Sequence, residues 1–141
     1  SQMKKILVVL AIVSLQGCAA IQATSVYKSI MMAHFDNNEY SQINTIRTIS
    51  NLGAAKCGTP QVVPVVEDLY YRSVELKNYS ASIPHNDEAI KMTGELAEIV
   101  KGLNTRYHEK DPVSTSYCTL KFGSIEKNAV TIQNVIGSKP R

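Results

Sequence analysis

The stretch CTLKFGSIEKNAVTIQNVI, residues 118–136, carries the most regular apolar repeat in the chain. Its apolar residues recur at alternating spacings of four and three, which places them on one face of an α-helix. Gly137 follows and is expected to end that helix. A single apolar face of this kind predicts a helix that packs against other helices. The repeat consists of Cys118, Phe122, Ile125, Ala129, Ile132 and Ile136.

Working back from this helix, the sequence contains three more helical patterns. Each of the four predicted helices begins at a residue that can cap a helix N-terminus. In two of them a proline follows the capping residue, and in one of them two acidic residues follow it. In the first pattern Phe35 and Tyr40 are spaced to form a hydrophobic staple, and Gly58 is a suitable stop. The predicted starts of the four helices are Asp36, Thr59-Pro60, Asn86-Asp87-Glu88 and Asp111-Pro112. The predicted apolar faces of the first three helices are Ile43, Ile46, Ile49 and Leu52; Val62, Val66, Leu69, Ser73 and Leu76; and Met92, Leu96, Ile99 and Leu103.

Short connections separate these patterns, and short connections favour antiparallel neighbours. The sequence therefore predicts an all-α fold, an up-down-up-down four-helix bundle over residues 36–141. Residues 18–35 are expected to be a tether or an extra helix that precedes the bundle.

Two cysteines test this topology. Cys57 lies at the end of the first predicted helix and Cys118 near the start of the fourth, so an up-down-up-down bundle places them at one end. In an oxidising compartment they are expected to form a disulfide. The alternative is a pair of buried free thiols.

The N-terminus has the three-part pattern of an export signal. Lys4 and Lys5 form a short positive region, Ile6–Leu15 is apolar, and small residues follow. The apolar run is too short to span a bilayer, which takes about 20 residues. Residues 1–17 are therefore predicted to be a signal peptide.

The sequence Leu15-Gln16-Gly17-Cys18 resembles the lipobox of bacterial lipoproteins, and the resemblance covers residues 3–19. It implies that Cys18 receives fatty acyl chains and becomes the first residue of a small bacterial or phage-encoded envelope lipoprotein facing the periplasm. Ala19, rather than Asp, favours the outer over the inner membrane. The alternative is an ordinary secreted protein in which Cys18 is a small residue near the cleavage site.

The charge of the chain excludes one class of partner. Formal net charge is +3, and removal of residues 1–17 takes away Lys4 and Lys5 but no acidic residue. The remaining chain is almost neutral, so no nucleic-acid partner is expected.

Residues capable of catalysis are scattered. His34, His85 and His108 each fall at or near a predicted segment end, where capping or exposure explains them. The sequence holds no haem attachment, nucleotide-binding, zinc-protease or hydrolase motif. We therefore expect no catalytic residues, no cofactor, no metal and no enzymatic activity.

The predicted function is binding of an envelope protein by a membrane-anchored helical domain, in an accessory, exclusion or lysis role. Tyr70 and Tyr71 are candidate interaction residues, since tyrosine suits interfaces and adjacent helical positions point about 100° apart. One alternative is a small apolar ligand held in a cavity lined by Leu96, Ile99, Phe122 and Ile125. Another is an inhibitor of a periplasmic enzyme. The sequence leaves the oligomeric state open.

Overall fold

The computed structural model describes residues 31–141, of which Ala33–Arg141 form one compact unit. The predicted signal peptide, Cys18 and residues 19–30 of the predicted tether lie outside the described residues. Within the described part, the secondary structure is helical and contains no strand. The elements are α1 (Asn37–Gly53), a 3₁₀ turn (Ala54–Lys56), α2 (Val62–Ser82), α3 (Asp87–Tyr107) and α4 (Thr115–Gly137).

The four helices form the predicted bundle. Each helix packs against its neighbours in sequence, and α1 also packs against α4, which closes the ring. We call the end that holds the start of α1 the first pole. It also holds the end of α4, since Glu39 contacts Lys139 there. The opposite end is the second pole, where Cys57 and Cys118 meet.

The core is made of one buried face from each helix, with the same alternation of four and three throughout. The predicted faces of α2 and α4 are confirmed: every predicted residue is buried. In α1 and α3 the buried face is rotated from the predicted one. The buried positions are Glu39, Ile43, Ile46, Ser50 and Gly53 in α1, and Ala89, Thr93, Leu96, Ala97, Val100 and Leu103 in α3.

The rotation in α1 has a simple cause. Spacings of three alone drift around a helix with 3.6 residues per turn, so the row that begins at Ile43 leaves the core by Leu52. Ile49 is half-buried, and 66% of Leu52 is exposed. In α3, whose predicted row has spacings of four and three, Met92 and Ile99 lie at the edge of the core. Polar Ser50 and Thr93 take the buried positions because their hydroxyls donate to the carbonyls of Ile46 and Ala89.

The start of α1 agrees with prediction. The Asp36 side chain accepts a hydrogen bond from the Glu39 backbone N–H at 2.9 Å, and the rings of Phe35 and Tyr40 lie 5.5 Å apart as a staple. The predicted stop was less accurate: the helix ends at Gly53, and Gly58, with a φ of 82°, turns the chain further along.

Two predicted starts are displaced by local hydrogen bonds. The Thr59 hydroxyl donates to the carbonyl of Lys56, so α2 begins at Val62. Arg106 donates to the carbonyls of Asp111 and Pro112, which holds that segment as a loop. Ser114 therefore caps α4 in place of Asp111.

Two helical glycines, one closely packed and one with open space beside it, allow a direct test of this packing. A Cβ at Gly53 would lie 2.7 Å from Phe122 and 2.9 Å from Val65, whereas a Cβ at Gly94 would meet no heavy atom within 4 Å. Gly53→Ala is expected to lower the free energy of unfolding by about 1–3 kcal/mol through overpacking. Gly94→Ala is expected to raise it by about 0.5–1 kcal/mol through helix propensity. Denaturant unfolding followed by circular dichroism measures both, and equal effects would contradict the close approach at Gly53.

Candidate functional site

A concave surface of the described domain is formed by a groove between α1 and α2 near the second pole. Its volume is about 360 Å³, within the range of about 300–1,000 Å³ typical of binding clefts. We call this surface the α1–α2 groove. It is lined by Thr48, Ile49, Leu52, Gly53, Lys56, Pro64, Val65 and Asp68.

The groove lies where α1 and α2 meet at the surface, beside the shared core. α1 and α2 pack less extensively than α1 and α4 or α2 and α3. Gly53 lets Phe122 and Val65 approach the end of α1 closely, while Leu52, one position earlier, points away from the core. The result is an apolar groove with an exposed leucine on its rim.

The two charged residues on the rim of the groove, Asp68 and Lys56, differ in whether an ion pair neutralises them. The carboxylate of Asp68 accepts a hydrogen bond from Arg72 Nε at 3.1 Å, so its charge is already partnered. Within residues 31–141, Lys56 has no ion-pair partner. The exposed Lys56 ammonium is therefore the unpaired charge of the groove.

A second, polar groove of about 300 Å³ lies between α1 and α4, and it shares Thr48 and Leu52 with the α1–α2 groove. Its side chains bond one another: Asn51 donates to Glu126 at 3.0 Å, and Arg47 donates to Gln133 at 2.9 Å. Gln133 in turn donates to Asn44 at 3.1 Å. These contacts fix the register of α1 on α4 and leave this groove with few unmet polar groups.

The cysteine pair lies beside the α1–α2 groove. The sulfurs of Cys57 and Cys118 are 2.08 Å apart, at disulfide distance, and confirm the predicted juxtaposition. Cys118 is fully buried, and Cys57 directly follows Lys56 of the groove rim. The crosslink therefore ties the end of α1 to α4 at the site.

The histidines do not converge on a common site. His34 and His85 are exposed, and His85 has a φ of 59° in the connection before α3. His108 caps the end of α3 at the other pole, where its Nε2 lies 3.3 Å from Glu67. Among the residues that the structure describes, no three His, Cys, Asp or Glu side chains are grouped to hold a metal ion.

A buried polar cluster occupies the first pole, and the sequence did not predict it. Glu39 is fully buried at a core position of α1, and its carboxylate accepts hydrogen bonds from the Lys139 ammonium and, at 2.7 Å, from Asn86 Nδ2. Asn86 also donates to the carbonyl of Ser80, so it lies at the predicted cap of α3 without capping it through its side chain. Glu39 therefore links the start of α1 to the α2–α3 connection through Asn86 and to the segment after α4 through Lys139.

Asp36 adjoins this cluster. Burial alone raises the pKa of its carboxyl, but hydrogen bonds from the Glu39 backbone N–H and the Tyr79 hydroxyl outweigh it, and the pKa lies below its ordinary value of 3.8. For Tyr79, a hydrogen bond with Asn38 lowers the pKa, but the bond to Asp36 and burial raise it further, so that it exceeds its ordinary value. Asp36 is thus held as the anion that caps α1.

The segment that enters α1 is held from two sides. The Ala33 N–H donates to the carbonyl of His85 at 3.1 Å, and the Phe35 N–H donates to the carbonyl of Pro140 at 2.8 Å. The guanidinium of Arg141 lies 4.2 Å from the centre of the Phe35 ring. The residues that follow α4 therefore cover the segment that leads into α1 and shield Glu39 from solvent.

The other predicted site residues fall in two groups. Tyr70 packs against the core, whereas 69% of Tyr71 is exposed, which confirms that adjacent tyrosines face different surroundings. Leu96, Phe122 and Ile125 are buried core residues, with Ile99 at their edge, and neither groove described above is lined by them.

Comparison with known proteins gives no assignment. None of the four described helices is both long and apolar enough to cross a bilayer. No protein-family model, curated protein or solved structure matches the chain.

Proposed function

We propose that this chain is a lipid-anchored envelope protein, facing the periplasm, that works by binding another envelope protein through the α1–α2 groove. The observation that carries the proposal is the exposed Leu52 on the rim of an apolar groove. A groove of this kind gains stability when a partner removes its apolar surface from water. The role is that of an accessory, exclusion or lysis-related lipoprotein, host- or phage-encoded, with no enzymatic activity.

The anchor is proposed from the sequence around Cys18. Two or three acyl chains on this residue would hold the protein stably on a membrane, whereas a single chain holds a protein only marginally. Confinement to the membrane surface raises the effective concentration of the domain near a membrane partner. A weak groove contact is then sufficient for function. Ala19, in place of Asp, favours the outer membrane over the inner one for the proposed anchor.

The cysteine pair supports export. A structural disulfide is stable in the periplasm but rare in the reducing cytosol. The juxtaposition of Cys57 and Cys118 therefore agrees with the compartment that the signal sequence predicts.

Site-specific photo-crosslinking in intact cells tests the proposal. A photoreactive amino acid at Leu52 is expected to capture one envelope protein. The same amino acid at Leu120 is the matched control, since Leu120 is 72% exposed and Leu52 66% exposed, but Leu120 does not line the groove. Cys18→Ser is expected to release the protein from the membrane and to abolish the Leu52 crosslink.

Mass spectrometry of the purified protein separates the two halves of the proposal. The intact mass should include acyl chains on Cys18 and lack residues 1–17. An unmodified chain would contradict the anchor. Equal capture from Leu52 and Leu120, or none from Leu52, would contradict binding through the groove.

The size of the groove favours one alternative, a small apolar ligand. Such a ligand is normally buried over most of its surface. It would compete with the Leu52 crosslink and would be found by native mass spectrometry of the protein purified from envelopes.

A further inference from the structure

We infer that the occupant of the α1–α2 groove is an amphipathic α-helix of the partner, with an apolar row on the groove floor and a carboxylate facing Lys56. This inference rests on the proposed function and adds the chemistry of the partner to it. Three features support this inference: the shape of the groove, its exposure to solvent and the charge on its rim.

The shape of the groove fits a helix. Both walls are helices, and the apolar floor between them runs from Ile49 to Val65. Ridges of side chains on a third helix fit such a groove as helices do within a core, and helix-in-groove recognition uses anchors at i, i+3, i+4 and i+7. An extended peptide that binds by β-strand addition would need a free strand edge, and residues 31–141 contain no strand.

The openness of the groove also favours a helix over a small molecule. Leu52 stands on the rim with 66% of its surface exposed. A small ligand on the floor would leave most of that leucine in water. A helix across the groove would cover Leu52 together with Ile49 and Val65, and would remove the largest apolar area from solvent.

The positive charge of Lys56 predicts an acidic residue at one end of the partner helix. Asp68 is already partnered by Arg72 at 3.1 Å, so the rim attracts anions through Lys56 alone. Because Lys56 lies one residue before Cys57, the crosslink to α4 holds its backbone in place. A carboxylate on the partner helix would meet this ammonium in a defined register.

A carbodiimide crosslinker tests this contact directly in membranes. The reagent activates a partner carboxylate, which then acylates Lys56 Nζ; the amine loses a proton, an amide bond forms and the reagent leaves as its urea. Other exposed carboxylates are activated as well, but only one within reach of the Lys56 amine forms an amide with it. Lys56→Arg is the matched control, because it keeps the positive charge but forms no such amide.

The expected product is an amide between Lys56 and an Asp or Glu of the protein that the Leu52 probe captures. The linked segment should have apolar residues at spacings of three and four. A synthetic peptide of that segment should become helical on binding the domain, as seen by circular dichroism.

Affinity of that peptide gives the second readout. Leu52→Asp is expected to weaken binding about 30-fold or more, as for loss of a central apolar anchor, and Leu120→Asp to leave it unchanged. Lys56→Glu is expected to weaken it about fivefold, and replacement of the linked acid by lysine in the peptide should restore it.

Three outcomes would overturn the inference while the proposed function stands. These are a Leu52 crosslink with no Lys56 amide, a linked segment that stays non-helical when bound, and a charge reversal that the peptide does not rescue. A linked segment that belongs to a second copy of this chain would also overturn it. Failure of the Leu52 crosslink itself would overturn both.

Discussion

Replacement of Lys139 by alanine is expected to lower the free energy of unfolding by about 3–5 kcal/mol, because it leaves a buried carboxylate without its counter-ion. Glu39 is fully buried, and only 8% of Lys139 is exposed, so water does not compensate for the lost ammonium. Among residues 31–141, Asn86 would remain as the only side-chain donor to the carboxylate. The loss should therefore far exceed that of an ordinary surface lysine.

Denaturant unfolding followed by circular dichroism measures this effect. Lys127→Ala on the exposed face of α4 is the control, and its change should stay within about 0.5 kcal/mol. The double variant Glu39→Met/Lys139→Met removes both charges and should recover most of the stability, since a well-packed apolar pair can replace a buried ion pair. If Lys139→Ala and Lys127→Ala were equal in effect, the buried pair would be absent in solution.

Loss of the Cys57–Cys118 crosslink is expected to lower the free energy of unfolding by about 4 kcal/mol. The two residues are separated by 61 positions, and closing a loop of that length removes this much chain entropy from the unfolded state. For a domain of this size the loss is a large part of a total stability of about 5–15 kcal/mol. The free energy of unfolding should therefore be much larger for the oxidised protein than for the reduced one.

Unfolding with and without a reducing agent provides the measurement. It is done in the Cys18→Ser background so that no third thiol exchanges with the pair. The variant Cys57→Ala/Cys118→Ala is the control: the reducing agent should shift the unfolding midpoint of the parent but not of this variant. Identical midpoints for the oxidised and reduced parent would show that no crosslink forms.

The same variants connect stability with the proposed binding. Lys56 is the last residue of the 3₁₀ turn that the crosslink holds against α4, and Leu52 lies two residues before that turn. The ion pair at Glu39, by contrast, lies at the other pole. If the groove binds a helix, reduction of the disulfide should weaken binding more than the glutamate–lysine double replacement does.

The fold was predictable because its signals are local and repeated. The repeat from Cys118 to Ile136 and the row from Val62 to Leu76 each name one buried face, and short connections leave few ways to pack four such faces. The cysteine juxtaposition followed from that topology. The two faces that were misplaced, in α1 and α3, contain Ser50 and Thr93 at core positions, where their polarity concealed the repeat.

The candidate site was much less predictable. Leu52 was assigned to the core because it continues a row of isoleucines, and the structure places it on the rim of the groove. The polar residue Ser50 was the signal for the correct face, since a serine can satisfy its hydroxyl on the preceding turn. A groove depends on how far two helices separate, and no local pattern reports that distance.

The helical class, the antiparallel order of the helices and the meeting of Cys57 with Cys118 could all be predicted from local signals along the chain. These follow from periodicity, capping and loop length, which are properties of neighbouring residues. The burial of Glu39 with Lys139 and the exposure of Leu52 beside Lys56 arise only when the four helices pack together. Both depend on the rotation of α1 about its own axis, which is set by the combined packing of all four helices.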